Sequence, residues 1–355
     1  MRGAPFLNLV LAVALALMGG WLLIVGQAIL LPIFMAIIAV YVLTTAADVL
    51  GRLPLLDRVP PMVRHGLVLM AFTAAIIGFA LVVAVTVNQL FAAMPRYQAN
   101  LEALLLRLEG VGWIKTNPTW DDIREVTLER INLQRMFVWL LGSLTSFGLS
   151  FFLVAVYAAF LLAERTNFKA KLAAALPDSS HAEMTSRIVN EINRRIGDYL
   201  AVKTAINVIL GIVSFAILWA MDVDFALFWA VLIGLFNYIP YLGGVIGVAF
   251  PVVLSLAQFG SPWTTLILAA LLTAAQVYIG TVLDPRLVGK QVNLSPFVVL
   301  IALSVWSALW GLPGAILAVP LTSMIAIICG AFEPTRFIAV LLSESYNTED
   351  EPGPA

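Results

Sequence analysis

Cysteine is almost absent: Cys329 is the single one in 355 residues, so no intrachain disulfide and no cysteine-based metal cluster can form. Histidine occurs twice, and both His65 and His181 fall in polar stretches between apolar runs. That leaves no Ser–His pair inside an apolar segment, and no H-E-x-x-H metal motif occurs. Charge is scarce, at 12% Asp, Glu, Lys and Arg, about half the share of a soluble globular chain. All 21 acids fall in loops or tails, which excludes an aspartyl-type intramembrane protease and a buried carboxylate relay. No G-x-x-x-x-G-K-[ST] loop is present, so any work is driven by something other than bound ATP. A net charge of −1 with scattered basic residues gives no footprint for nucleic acid. These absences describe a chain that is not an enzyme and holds no cofactor and no metal.

What is abundant is apolar surface, at 61% of residues. Phe6 to Leu23, Gly66 to Val87, Met136 to Ala163 and Trp263 to Leu283 each run about 18 residues or more without an ionised side chain, enough to cross about 30 Å of hydrocarbon. The chain reads as an all-α polytopic membrane protein whose natural solvent is lipid. Arg2 before an apolar run resembles a signal peptide, but the sequence stays apolar through Tyr41, so an uncleaved first helix is expected. Helices are predicted at 5–25, 28–47, 66–88, 137–163, 204–221 and 263–283, with interrupted apolar stretches at 225–258 and 295–332. Assigning loops to alternate sides puts 14 Lys or Arg on one face and 6 on the other, all six in one long loop with six acids. The positive-inside rule then places both termini in the cytoplasm.

That long loop carries Phe91, Met94, Tyr97, Leu101, Leu104 and Leu108 at helical spacing, a Gly110–Pro118 break, and a capping box at Thr119 followed by Ile123, Val126 and Ile131. Two amphipathic helices of this kind lie on the protein or the headgroups, or serve as a gate or oligomer contact. On the cytoplasmic side, Ser180-x-x-Glu183 precedes an apolar stripe of Met184, Ile188, Ile192, Ile196 and Leu200, which packs under its own bundle or against a neighbouring chain of a homo-oligomer. Asp222-Val-Asp224 has D-x-D spacing, and in so short a link it is expected to cap the next helix.

The C-terminal half is the most informative. Asn237-Tyr238-Ile239-Pro240-Tyr241-Leu242-Gly243-Gly244 interrupts the first stretch, and Gly311-Leu312-Pro313-Gly314 interrupts the second. Proline removes a backbone donor, and broken backbone inside lipid survives only when tightly packed or lining a wet cavity. Paired interruptions of this kind point to a transport site, while kinked helices and small-residue packing, as at Gly243 to Gly247 or Gly142, Ser146 and Ser150, are the structural alternative. Asn237, Tyr238, Gln276, Tyr278, Gln291 and Asn293 supply neutral hydrogen-bonding groups near the breaks, suited to a hydroxylated, uncharged or weakly charged solute. Asp284 and Arg286, with Lys203 and Asp198, sit at span borders and are the candidates for ion coupling or for plain interfacial anchoring.

The blocks FNYIPYLGGVIG and VLDPRLVGKQVNLSPFVVLIALSVWSALWGLPGAILAVPL resemble the C-terminal signature of the AI-2E (autoinducer-2 exporter, PerM-like permease) family, and the order of helices and loops agrees. Gly244 stands where many members carry proline. The resemblance implies a bacterial inner-membrane exporter of a small signal molecule, or a sodium–proton antiporter with Na+ and H+ as ligands; a non-transporting scaffold is the remaining class. It divides the chain into N-terminal transmembrane helices (1–88), an extracytoplasmic amphipathic segment (89–136), a transmembrane helix (137–163), a cytoplasmic helical linker (164–203), a transport core (204–332) and a cytoplasmic tail (333–355). Pro240, Gly243, Gly244, Gly311, Pro313 and Gly314 are then gating residues beside the polar groups. Each interrupted stretch forms a hairpin, re-entrant or fully crossing.

Overall fold

The computed structural model describes residues 4–52, 59–110, 152–164, 171, 179–288 and 292–345. Regular structure among these is helical, with no strand. The helices are α1 (Ala4–Val25), α2 (Gln27–Leu50), α3 (Pro61–Gly110), α4 (Phe152–Glu164), α5 (Ser179–Ala220), α6 (Ala226–Phe236), α7 (Leu242–Phe259), α8 (Pro262–Tyr278), α9 (Pro296–Ala331) and α10 (Arg336–Leu342). A π-turn at Ile279–Leu283 carries α8 into the short helix Asp284–Val288. Among the described residues six helices are long and apolar enough to cross a membrane, so this is a multi-pass membrane protein.

Two helices run further than the sequence pattern suggests. The span expected at 66–88 and the amphipathic helix after it form one 50-residue helix, α3, which passes through Pro95. The apolar stripe after Ser180 and the span expected at 204–221 form one 42-residue helix, α5. No glycine or proline stands between Gly78 and Pro95 or between Gly197 and Gly211, so nothing stops either helix at the polarity change. The second outer helix from Thr119, the first half of the 137–163 span and the Gly142, Ser146, Ser150 pattern lie outside the described residues.

The chain forms two compact units, one from residues 1–69, 153–201 and 289–355 and one from 70–152 and 202–288. In the first unit, the indole nitrogen of Trp310 donates to the Leu23 carbonyl of α1 at 3.0 Å, and the Trp310 ring lies 5.6 Å from Phe34 of α2. The last part of the α5 stripe packs within its own chain, where Ile196 and Leu200 are buried and Gly197 sits under Thr45 of α2, while Met184, Ile188 and Ile192 are half-buried.

The second interrupted stretch, α9, belongs to this unit and folds back on itself at Gly311, whose φ of 64° and ψ of −142° are open to glycine. The Trp306 indole donates to Thr322 Oγ1 at 3.1 Å. In a straight helix those positions stand about 24 Å apart, so the two arms form a hairpin.

The second unit is built on a core of Ile206, Leu210 and Leu218 from α5, Ala230 and Ile233 from α6, and Leu268 and Leu272 from α8. Its α6–α7 hairpin is the first interrupted stretch. A Cβ on Gly243 would stand 1.8 Å from the Phe236 carbonyl oxygen, and one on Gly247 would stand 3.3 Å from Ile233 Cα, so the arms touch backbone to backbone. The open end is closed by Gln258, which accepts from the Asp224 amide at 2.8 Å and donates to the Asp222 carbonyl at 2.7 Å.

The expected capping role of Asp222 and Asp224 does not hold. Phe225 takes the N-cap position at φ 60° with no side-chain cap, and the Asp224 carboxylate instead accepts from Arg96 and, at 2.7 Å, from Tyr97 Oη of α3. A cationic donor outcompetes the bare helix end for a carboxylate.

Candidate functional site

The tip of the α6–α7 hairpin is polar and stands beside the apolar core of its unit. Asn237 ends α6 and is 8% exposed; its Nδ2 donates to Asn207 Oδ1 of α5 at 2.7 Å, and its Oδ1 accepts from Gln276 Nε2 of α8 at 2.8 Å. Three carboxamides from three helices therefore form one linear chain. Next to it, Tyr238 Oη and Thr204 Oγ1 are 2.7 Å apart. One turn from Asn207 on the same face of α5, Lys203 Nζ meets Asp284 at 2.5 Å, with the lysine side chain 8% and the aspartate 24% exposed.

Local sequence explains how these groups converge. Gly234 brings α6 within 2.9 Å, measured from its absent Cβ, of the Asn207 carbonyl oxygen, so α5 and α6 cross closely just before the tip. Pro240 cannot donate, and Tyr241 at φ 62° turns the chain into α7. Gly244 leaves room for Gln276, whose Nε2 and Cδ lie 2.8 and 3.0 Å from where its Cβ would be.

Helical rise from the Asp222–Gln258 end places the amides about 16–22 Å in, counting along α5, α6 or α8. That distance is more than half of about 30 Å of hydrocarbon. Two atoms of the chain, Asn207 Nδ2 and Gln276 Oε1, are buried without a hydrogen-bond partner. Each costs on the order of 1–3 kcal/mol, which apolar residues of similar size would not. The arrangement holds polar groups by hydrogen bonding and, at Lys203–Asp284, by charge.

Residues 10–333 match the sequence model of the AI-2E family transporter. The chain belongs to the AI-2E transporter family. Over 81% of its length it is 30% identical to the AI-2 transport protein TqsA of Escherichia coli K12, covering 82% of that protein. It is 27% identical to the transport protein YhhT of the same strain, covering 80% of it. With a transport protein of Borreliella burgdorferi it shares 32% identity, and there the match spans 56% of the relative's length. An AI-2E chain is a membrane transporter, and the names of these relatives point the same way.

In this AI-2E protein, the second unit joins Asn237, Tyr238, Gly243, Gly244 and Gln276 around one tip, with Pro240 in its turn. Gly311, Pro313 and Gly314 form the other hairpin, in the first unit, where Gly314 packs on the Trp306 carbonyl. The Asn293 amide donates to the Ser345 carbonyl and accepts from the Glu344 and Ser345 amides, tying the chain beyond α10 back to the start of α9. Gln291 lies outside the described residues. Asp284 pairs with Lys203 across the helices, and Arg286, two residues on, is exposed. Sequence reasoning missed Asn207 and Thr204. Their signal was available: Lys203, Asn207 and Ser214 mark one face of α5 with polar groups at helical spacing.

Proposed function

We propose that this protein exports a small, neutral, hydroxylated solute across a bacterial inner membrane, with the second unit carrying the solute contacts. The supporting observation is the linked carboxamide chain Asn207–Asn237–Gln276, its two asparagines buried and its glutamine half-buried beside an apolar core, and met by a broken helix. Neutral amides bind hydroxyl groups without selecting a charged species, and broken helix ends inside lipid need polar company. The name of TqsA attaches that relative to AI-2, and a signal molecule of that kind fits the proposed class. Energy comes from a gradient of the solute or of an ion. The excess of Lys and Arg in alternate loops supports cytoplasmic termini.

The deciding experiment is reconstitution in liposomes, with a panel of neutral and charged solutes and imposed sodium, proton and voltage gradients. Flux of neutral hydroxylated solutes supports the reading, and a protein that moves only ions removes it. The Lys203–Asp284 pair favours a second reading, exchange of a cation for a proton. On that reading Asp284→Asn abolishes gradient-driven flux while the protein still reaches the membrane, and undiminished coupled flux excludes it.

A further inference from the structure

We infer that the carboxamide chain is a diol-recognition site: Asn207 and Gln276 each hold one hydroxyl of a neutral polyol, and Gly244 is the residue that tunes it. This rests on the proposed solute transport and adds its stereochemical requirement. Three amides in a line can make only two mutual bonds, so the chain ends in one open donor and one open acceptor, here Asn207 Nδ2 and Gln276 Oε1. Turning all three amides over reverses both bonds and leaves Asn207 Oδ1 and Gln276 Nε2 open, so the count is the same in either sense. The Tyr238 hydroxyl stands beside the Asn207 amide, yet Nδ2 meets no acceptor in hydrogen-bond geometry.

A ligand that completes both ends must accept at one and donate at the other. A carboxylate only accepts and an ammonium only donates, so either leaves one end open. A hydroxyl does both, and two hydroxyls on one carbon skeleton satisfy both ends in either sense of the chain. The neighbouring Lys203–Asp284 pair has no net charge and adds no preference for an ion of one sign. Gly244 enters because a methyl group there would collide with Gln276, a flexible side chain that yields by leaving Asn237. It therefore acts on the site without touching the solute.

The test is counterflow in proteoliposomes, using radiolabelled erythritol and ribitol with the carboxylate erythronate as comparison, and with folding followed by thermal unfolding in detergent. Wild type should exchange the two polyols and discriminate against erythronate. Asn207→Leu and Gln276→Met should each reduce polyol exchange about tenfold at low solute concentration. Gln276 is half-buried and methionine matches its length, so that variant stays informative where Asn207→Leu unfolds. Gly244→Ala should show a similar loss, and combining it with Gln276→Met should add nothing, since both act through one side chain. Wild-type polyol exchange left intact by Gln276→Met overturns this inference alone, the amides then holding water or only packing. Absence of polyol exchange in wild type overturns both this inference and the proposed solute class.

Discussion

Glycine-to-alanine substitutions separate the contacts of this fold by magnitude. At Gly243 the new methyl carbon would sit 1.8 Å from the Phe236 carbonyl oxygen and 2.4 Å from its carbon, where ordinary contact begins near 3.4 Å. The obstacle is backbone, which no rotamer relieves, so α6 and α7 must separate at the tip. Overpacking typically costs about 1–3 kcal/mol, and a clash this deep belongs at or above the upper end. Gly314, 2.0 Å from the Trp306 carbonyl oxygen, should behave alike in the other hairpin. Gly311 has nothing within 4 Å of its absent Cβ, but its positive φ alone should cost about 1–3 kcal/mol. Gly66 and Gly78 also have open space, and there alanine should be neutral or stabilising by up to about 1 kcal/mol through helix propensity. Thermal unfolding of purified protein in detergent, followed by loss of the size-exclusion peak, should rank Gly243→Ala and Gly314→Ala lowest, Gly311→Ala between, and Gly66→Ala and Gly78→Ala at or above wild type. Wild-type stability in Gly243→Ala would refute the backbone-to-backbone hairpin.

At the other end of the same unit, Tyr97→Phe removes a buried donor to the Asp224 carboxylate and should lower stability by about 1.5–3 kcal/mol, measured by unfolding in detergent. Arg96→Ala should have less effect, because that side chain is 56% exposed; the reverse order would mean the ion pair, not the phenol, holds the linker. For the ion pair between α5 and the short helix Asp284–Val288, Asp284→Leu alone strands a buried lysine and should be strongly destabilising, whereas Asp284→Leu with Lys203→Met should recover much of the loss; strictly additive losses would argue against the pairing. Topology is checked by cysteine labelling after Cys329→Ser: Thr116→Cys should react with an impermeant reagent on intact cells and Ser180→Cys should not, and the reversed pattern removes the orientation drawn from loop charge.

Both hairpins were legible in the sequence, because proline and glycine interrupt apolar runs too long for a single crossing. Their internal geometry was not. Nothing in the spacing says that Trp306 meets Thr322 across the turn, because helical periodicity relates neighbours three or four apart and these are separated by 16 positions. Continuity of α3 and α5 was hidden for the opposite reason: a change in polarity looks like a boundary, but only a lost hydrogen bond or an unfavourable dihedral stops a helix. The Asp222–Asp224 linker misled because capping is a local rule. Gln258, 34 residues away, takes the Asp224 amide, and Arg96 and Tyr97 of α3 take its carboxylate.

The candidate site was half legible for a related reason. Asn237, Tyr238 and Gln276 stood out as polar groups near breaks, whereas Asn207 sits in the middle of a helix and looked like an incidental polar residue in a span. Its role depends on how closely two helices cross. Gly211 leaves an absent Cβ 3.4 Å from the Ala230 carbonyl oxygen, and Gly234 leaves one 2.9 Å from the Asn207 carbonyl oxygen, so small residues on both partners bring α5 and α6 into backbone contact. Small residues at such crossings let backbones approach, and polar side chains on the same face then reach across. Asn207 is 4% and Ser214 1% exposed, and Lys203, Leu210 and Leu218 are buried too, so this face of α5 is inward from Lys203 to Leu218. A larger residue at Gly234 would lift α5 from the hairpin and break the Asn207–Asn237 bond before disturbing any polar group directly. The glycines that read as packing and the amides that read as a site are therefore two parts of one arrangement: the packing sets the distance at which the amides can bond.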